Sequence, residues 1–145
     1  SLSNSVEDKA KCLLNKLKGK SKKEIGDILR ENNIPGGVFP SNIKCYEYEE
    51  SKGKLTVHLP YPCEVCFKDS SLLRYSTRVK ATLSRGKLTV LEGMKTKRLV
   101  WVKVSSVSVE SYKSDKVCFT ASGVKISRPR DAYDLPRPAI QVHDF

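Results

Sequence analysis

The sequence predicts a mainly β protein: an antiparallel β-barrel or barrel-like sandwich of about seven to eight strands, preceded by one or two short N-terminal helices. Three observations predict it. Apolar residues alternate with polar ones in short runs between residues 43 and 127, turn-forming residues separate the runs, and no helical pattern intervenes. Strands spaced by turns exclude a parallel βαβ sheet, whose crossovers need a dozen or more residues, and closing the sheet would remove unpaired edges.

Two helical stripes come first. Val6, Ala10, Leu13, Leu14 and Leu17 share one face of a helix over 5–18, with Ser5 at the N-cap position and Gly19 ending it. Ser21-x-x-Glu24 has the form of a capping box, and Ile25, Ile28 and Leu29 continue a second stripe over 21–32. Pro35, Gly36 and Gly37 then stop any helix. Both stripes need burial, and the expected place is the outer wall of the barrel, against Leu91, Leu99 and Trp101, which fall opposite the core set. The alternative is that those three form an exposed patch for a partner or a membrane.

From residue 43 the period changes from 3.6 to 2. Tyr46 and Tyr48 alternate with Cys45, Glu47 and Glu49; after a turn at Ser51-Lys52-Gly53, Leu55, Val57 and Leu59 alternate with Lys54, Thr56 and His58. Pro60 and Pro62 close this hairpin, and Cys63, Val65 and Phe67 make a short strand. A long strand follows in which Leu73, Tyr75, Thr77, Val79, Ala81 and Leu83 face one way and Arg74, Arg78 and Lys80 the other. Past the turn Ser84-Arg85-Gly86-Lys87 come Leu88 and Val90, then Val100, Val102 and Val104. Alternation resumes at Val107 and Val109 with its parity shifted by one, which requires a bulge or turn at Ser105-Ser106. Val117 and Phe119, then Val124 and Ile126 across Ser122-Gly123, complete the set.

The organisation read from this is a helical segment over 1–33, a β-barrel domain over 34–127 and a proline-rich extended tail over 128–145. A chain of 145 residues can bury one sizeable core without disulfide staples. Five scattered cysteines do not form a secreted disulfide framework, and the expectation is a reducing, cytoplasmic setting and a monomer. No stretch approaches the length of a transmembrane helix.

The formal net charge is +11, and residues 61–112 carry ten Lys/Arg against four Asp/Glu. Such an excess attracts anionic ligands, membranes or nucleic acid. Arg74, Arg78, Lys80, Arg85, Lys87, Lys95, Lys97 and Arg98 are the candidates for an anionic-surface site, against the plainer reading of a solvated face that protects sheet edges. Nucleic acid is the weaker partner, because only Trp101 and Tyr112 could serve as stacking platforms.

Catalytic and metal signals are thin. Cys63-Glu-Val-Cys66 is the one CxxC, yet it lies in a strand pattern where residues three apart point to opposite faces, and no second pair or nearby histidine completes a site. Of the two histidines, His58 sits on the polar side of a strand and is read as solvated, and His143 lies in the tail. No nucleophile elbow, P-loop or HExxH motif is present, and neither a metal nor a cofactor is expected.

Two stretches carry a family resemblance. LRENNIPGGVFPSNIKCYEYEESKGKLTVHL, residues 29–59, resembles the start of the plant domain of unknown function 538 family. VKATLSRGKLTVLEGMKTKRLVWVKVSSV, residues 79–107, resembles its second half, with Gly86, Leu91-x-Gly93, Lys97 and Trp101 at the family's spacing. The likeness covers roughly residues 22–127 and departs at Lys80-Ala81, near which the family has a glycine. It implies a plant protein with a β-rich barrel, similar to lipid-binding barrels; it carries over no catalytic residue. The leading expectation is therefore a non-enzymatic module for a small hydrophobic or lipid-like ligand. The alternatives are a hydrolase-type enzyme on a plant polymer or pigment ester, with His58 as its candidate residue, and an anionic-surface binder for membrane headgroups or nucleic acid.

Overall fold

The computed structural model describes residues 23–145. The helix expected over 5–18, its cap at Ser5 and Ser21 of the capping box lie outside those residues. The second stripe forms helix α1, Ile25–Glu31, which begins after Glu24 with no side-chain cap bond. Its other end is closed by Asn33 in the left-handed region (φ 60) and by the Ile34 N–H donating to Leu29 O at 2.9 Å. This is the Schellman arrangement, and Leu29 and Ile34, the pair that usually accompanies it, are both fully buried in the same apolar cluster.

Nine strands follow: β1 Cys45–Glu49, β2 Lys54–His58, β3 Cys63–Cys66, β4 Leu72–Ser84, β5 Lys87–Lys97, β6 Trp101–Ser108, β7 Lys116–Ala121, β8 Val124–Pro129 and β9 Ile140–Gln141. All pair antiparallel in the order β1-β2-β4-β5-β6-β7-β8, with β3 beside β4 and β9 beside β3. Among the described residues β1 pairs only with β2 and β8 only with β7, so the sheet is barrel-like but open. Short β2 and β3 share one side of the 13-residue β4, which pairs with β3 through Leu72–Tyr75 and with β2 through 78–82.

Four register shifts bend the sheet. Val104 pairs with Ala121 and Ser106 with Thr120, so Ser105 is the extra residue of a bulge where the sequence parity slips; its Oγ donates to Thr120 O at 3.1 Å. The others adjoin each other on β4 and β5, around Gly93 at φ +97. This irregularity leaves Thr77 exposed, against its expected place in the inward set. The turn Ser122-Gly123 has both residues at positive φ, the geometry a two-residue hairpin needs.

Leu55, Val57, Val65, Leu73, Tyr75, Val79, Leu83, Leu88, Met94, Val104, Val107, Val117 and Phe119 point inward into one cluster. α1 joins the same cluster through Ile25, Ile28 and Leu29, instead of docking on the outer wall at Leu91, Leu99 and Trp101. The segment after it is equally buried: Ile34, Val38 and Phe39 have no accessible surface. Its backbone is satisfied from a distance, with Tyr75 Oη donating to Val38 O at 2.5 Å and Gly37 N–H to Tyr133 O at 2.8 Å. A 3-10 helix, Arg130–Tyr133, adds Ala132 and Tyr133.

Candidate anionic-surface site

The site is built from the outward positions of β4, β5 and β6. Because inward residues alternate with outward ones, register decides which charges meet. Arg74 lies opposite Lys95, and Lys95 opposite Lys103, so three cations form a row across three strands. Trp101, opposite Lys97, sits beside that row, with the Arg74 guanidinium 4.2 Å from its ring centroid and Lys97 Nζ at 5.5 Å. Arg74 Nε also donates to Glu64 Oε1 at 2.8 Å, and Lys95 Nζ donates to Phe145 O at 2.7 Å. The strands are joined by a three-residue loop, Arg98-Leu99-Val100, in which Leu99 is 97% and Val100 64% exposed. Among the described residues neither Lys97, Arg98 nor Lys103 has a carboxylate partner.

The eight sequence candidates thus divide. Arg74 and Lys97 lie against Trp101, with Lys95 on the same face and Arg98 in the adjoining loop. Arg78 and Lys80 both lean on Glu92, at 3.8 and 4.0 Å, which offsets part of their charge. Arg85 and Lys87 stand at the opposite end of β5, roughly 30 Å from the Arg98 loop at the usual rise per strand residue. Sequence reasoning missed Lys103, although Trp101 and Lys103 share a parity. It also counted Val100 and Val102 as core, whereas Val100 lies in the exposed loop and Val102 is half-buried.

The remaining candidates fall elsewhere. Cys63 is fully buried while Cys66 is exposed on the other face of β3, so the two sulfurs cannot close on one ion or on each other. Burial pushes the Cys63 thiol up to about 11, the opposite of a reactive thiolate. Cys45 is disulfide-bonded, while Cys63, Cys66 and Cys118 are free thiols. His58 is buried and not solvated as expected, with Nε2 2.9 Å from Glu47 Oε1. His143 is exposed.

Inside, Arg128 is 8% exposed and anchors a polar chain. It donates to Tyr133 Oη at 3.3 Å and to Thr96 Oγ1 at 2.9 Å, and Thr96 donates to Leu72 O at 2.9 Å. Tyr133 bonds to Ser71, which donates to Asp69 Oδ1 at 2.6 Å. Each hydroxyl of the chain has a partner, and the chain ends on a carboxylate. Beside it an open groove of about 690 Å³ combines Asp69, Asp131, Asp134, Lys68 and Arg137 with Ala132, Leu135 and three prolines.

The buried thiol makes a stability prediction. A group neutral in the fold with a raised pKa contributes stability that is complete below its unfolded value and lost as pH rises through the folded one. For Cys63 the window runs from an ordinary value of 9.0 to about 11, an effect of about 2–3 kcal/mol. Urea unfolding at pH 8 and pH ~10.5 should therefore show a larger loss in the wild type than in Cys63→Ala. Both should carry Cys45→Ser, Cys66→Ser and Cys118→Ser, which removes the Cys45 disulfide as a target for thiolate attack. Equal losses would refute the assignment.

A barrel-like antiparallel domain with a buried apolar core and a basic, tryptophan-bearing outer face is the class of protein these features define. The family model described as Protein of unknown function, DUF538 matches residues 25–134, and the chain belongs to that family. It is 47% identical over 145 residues to the uncharacterized protein At5g01610 of Arabidopsis thaliana, covering 100% of this chain and 83% of that protein. The match begins at α1 and ends one residue beyond Tyr133, so it takes in the whole buried cluster.

Proposed function

We propose that the domain is a non-enzymatic module that docks on anionic, phosphate-bearing surfaces through the outward face of β4, β5 and β6. The observation that carries this reading is that Lys97, Arg98 and Lys103 lack carboxylate partners among the described residues and flank Trp101, at the end of a cross-strand row with Lys95 and with Arg74, whose charge is offset by Glu64. An apolar ligand inside the fold is less well supported. A hollow admitting one would leave its lining side chains accessible surface, yet Leu29, Phe39, Val57, Leu73, Tyr75, Leu88 and Phe119 have none. A hydrolase centred on His58 would need a nucleophile beside the imidazole, and the side chain bonded to it is Glu47.

No helix among the described residues is long and apolar enough to cross a membrane. The disulfide at Cys45 favours an oxidising compartment over the cytoplasm. The test is retention on an anionic matrix such as heparin across a salt gradient. Lys97→Glu/Arg98→Glu should weaken binding about tenfold or more at low salt, since each cation near an anionic surface contributes about 1 kcal/mol. Arg78→Glu/Lys80→Glu, at positions already leaning on Glu92, should act less. Salt-independent retention, or equal effects of the two pairs, would end this reading.

A further inference from the structure

We infer that the β5–β6 hairpin is a membrane-insertion element: Leu99 and Val100 enter the headgroup–acyl boundary of an anionic phospholipid bilayer, and Trp101 rests at the interface. This rests on the anionic-surface reading and names its target. The loop spans three residues between the paired Lys97 and Trp101, so Leu99 stands at the apex. At 97% and 64% exposure, Leu99 and Val100 are two adjacent branched aliphatics that the fold leaves in water, whereas the neighbouring inward residues Met94 and Val104 are buried. Lys97 and Arg98 precede them, Lys103 follows, and Lys95 lies behind on the same face.

Apolar residues at a tip, a tryptophan one step back and cations behind it match the layers of an anionic bilayer surface, met in that order from hydrocarbon to phosphate. Nucleic acid fits worse. The Arg74 guanidinium lies against the Trp101 ring, the platform a base would stack on, and an aliphatic apex offers a phosphate backbone nothing. A second copy docking tip to tip would bring Lys97 and Arg98 of both chains together against like charge.

The chain has one tryptophan, so its emission reports Trp101 alone. The full chain is mixed with phosphatidylcholine vesicles, with and without phosphatidylserine, and followed by co-sedimentation, Trp101 emission and iodide quenching. The expected result is binding to the anionic vesicles only, with a blue shift and protection from iodide. Leu99→Ser/Val100→Ser, at exposed positions that leave thermal unfolding unchanged, should lose the shift and about tenfold of the affinity, as loss of a largely buried aliphatic predicts. If that variant binds and shifts like the wild type while Lys97→Glu/Arg98→Glu fails to bind, insertion is wrong and the surface reading survives. No vesicle binding, with salt-sensitive heparin retention intact, also overturns insertion alone; loss of both removes the two together. Tip-dependent self-association by light scattering in place of vesicle binding would assign the apex to a second copy and overturn the inference.

Discussion

Gly93→Ala is expected to destabilise the fold by about 3–4 kcal/mol, lowering the midpoint of thermal unfolding by roughly 10 °C for a chain of this size. Two independent costs combine. At φ +97 an L side chain is strained before any contact is considered. A Cβ there would also lie 2.4 Å from Arg78 O and 2.9 Å from both Ser76 Oγ and Val79 Cα. None of these can withdraw easily. Arg78 is held by Ser76, whose Oγ donates to Arg78 O at 2.5 Å and accepts from Arg78 N–H at 3.2 Å, and Val79 is fully buried. The strands cross closely here because the β4 irregularity spans the point where β4 exchanges β3 for β2 as its neighbour. Urea unfolding of the variant measures the cost; a loss below about 1 kcal/mol would mean that the bulge relaxes and does not fix the crossing.

The strands were legible because period 2 is a local property. Leu55, Val57, Leu73, Tyr75, Leu88 and Phe119 announce their face by their neighbours alone, and the bulge at Ser105 was legible for the same reason, as a change of phase between Val104 and Val107. What failed to show was backbone buried without a period. Residues 34–39 carry no period because proline and glycine punctuate them, yet Ile34, Val38 and Phe39 are core, and the polar groups that allow this come from Tyr75 and Tyr133. Sequence proximity to those partners is nil. The basic face was legible as a composition, and its division was not: only register places Lys103 beside Lys95 and gives Arg78 and Lys80 to Glu92. His58 misled for a related reason, since alternation assigns a direction and says nothing of what covers that side.

Tyr133→Ala is the other large effect, expected at about 3–5 kcal/mol, and it tests whether residues beyond the last long strand belong to the core. The Tyr133 ring is stacked on Phe67 at 4.2 Å and tilted against Phe119 at 5.0 Å, with no accessible surface, so truncation leaves a cavity between two aromatic rings. It also removes a phenol oxygen that accepts from Arg128, whose guanidinium lies 4.7 Å from the Phe119 ring. That buried cation would keep Thr96 as its other hydroxyl partner and lose its link to Asp69. Tyr133→Phe separates the terms. It keeps the rings and removes the hydroxyl, for which about 1 kcal/mol is expected because Ser71 retains Asp69. A ratio of three or more between the two losses in urea unfolding at pH 7 would make ring packing the dominant cause. Near-equal losses would place the weight on the polar chain, and Arg128→Met should then cost as much; if packing dominates, that replacement should be mild, since it removes a desolvated charge and leaves Thr96 bonded to Leu72 O.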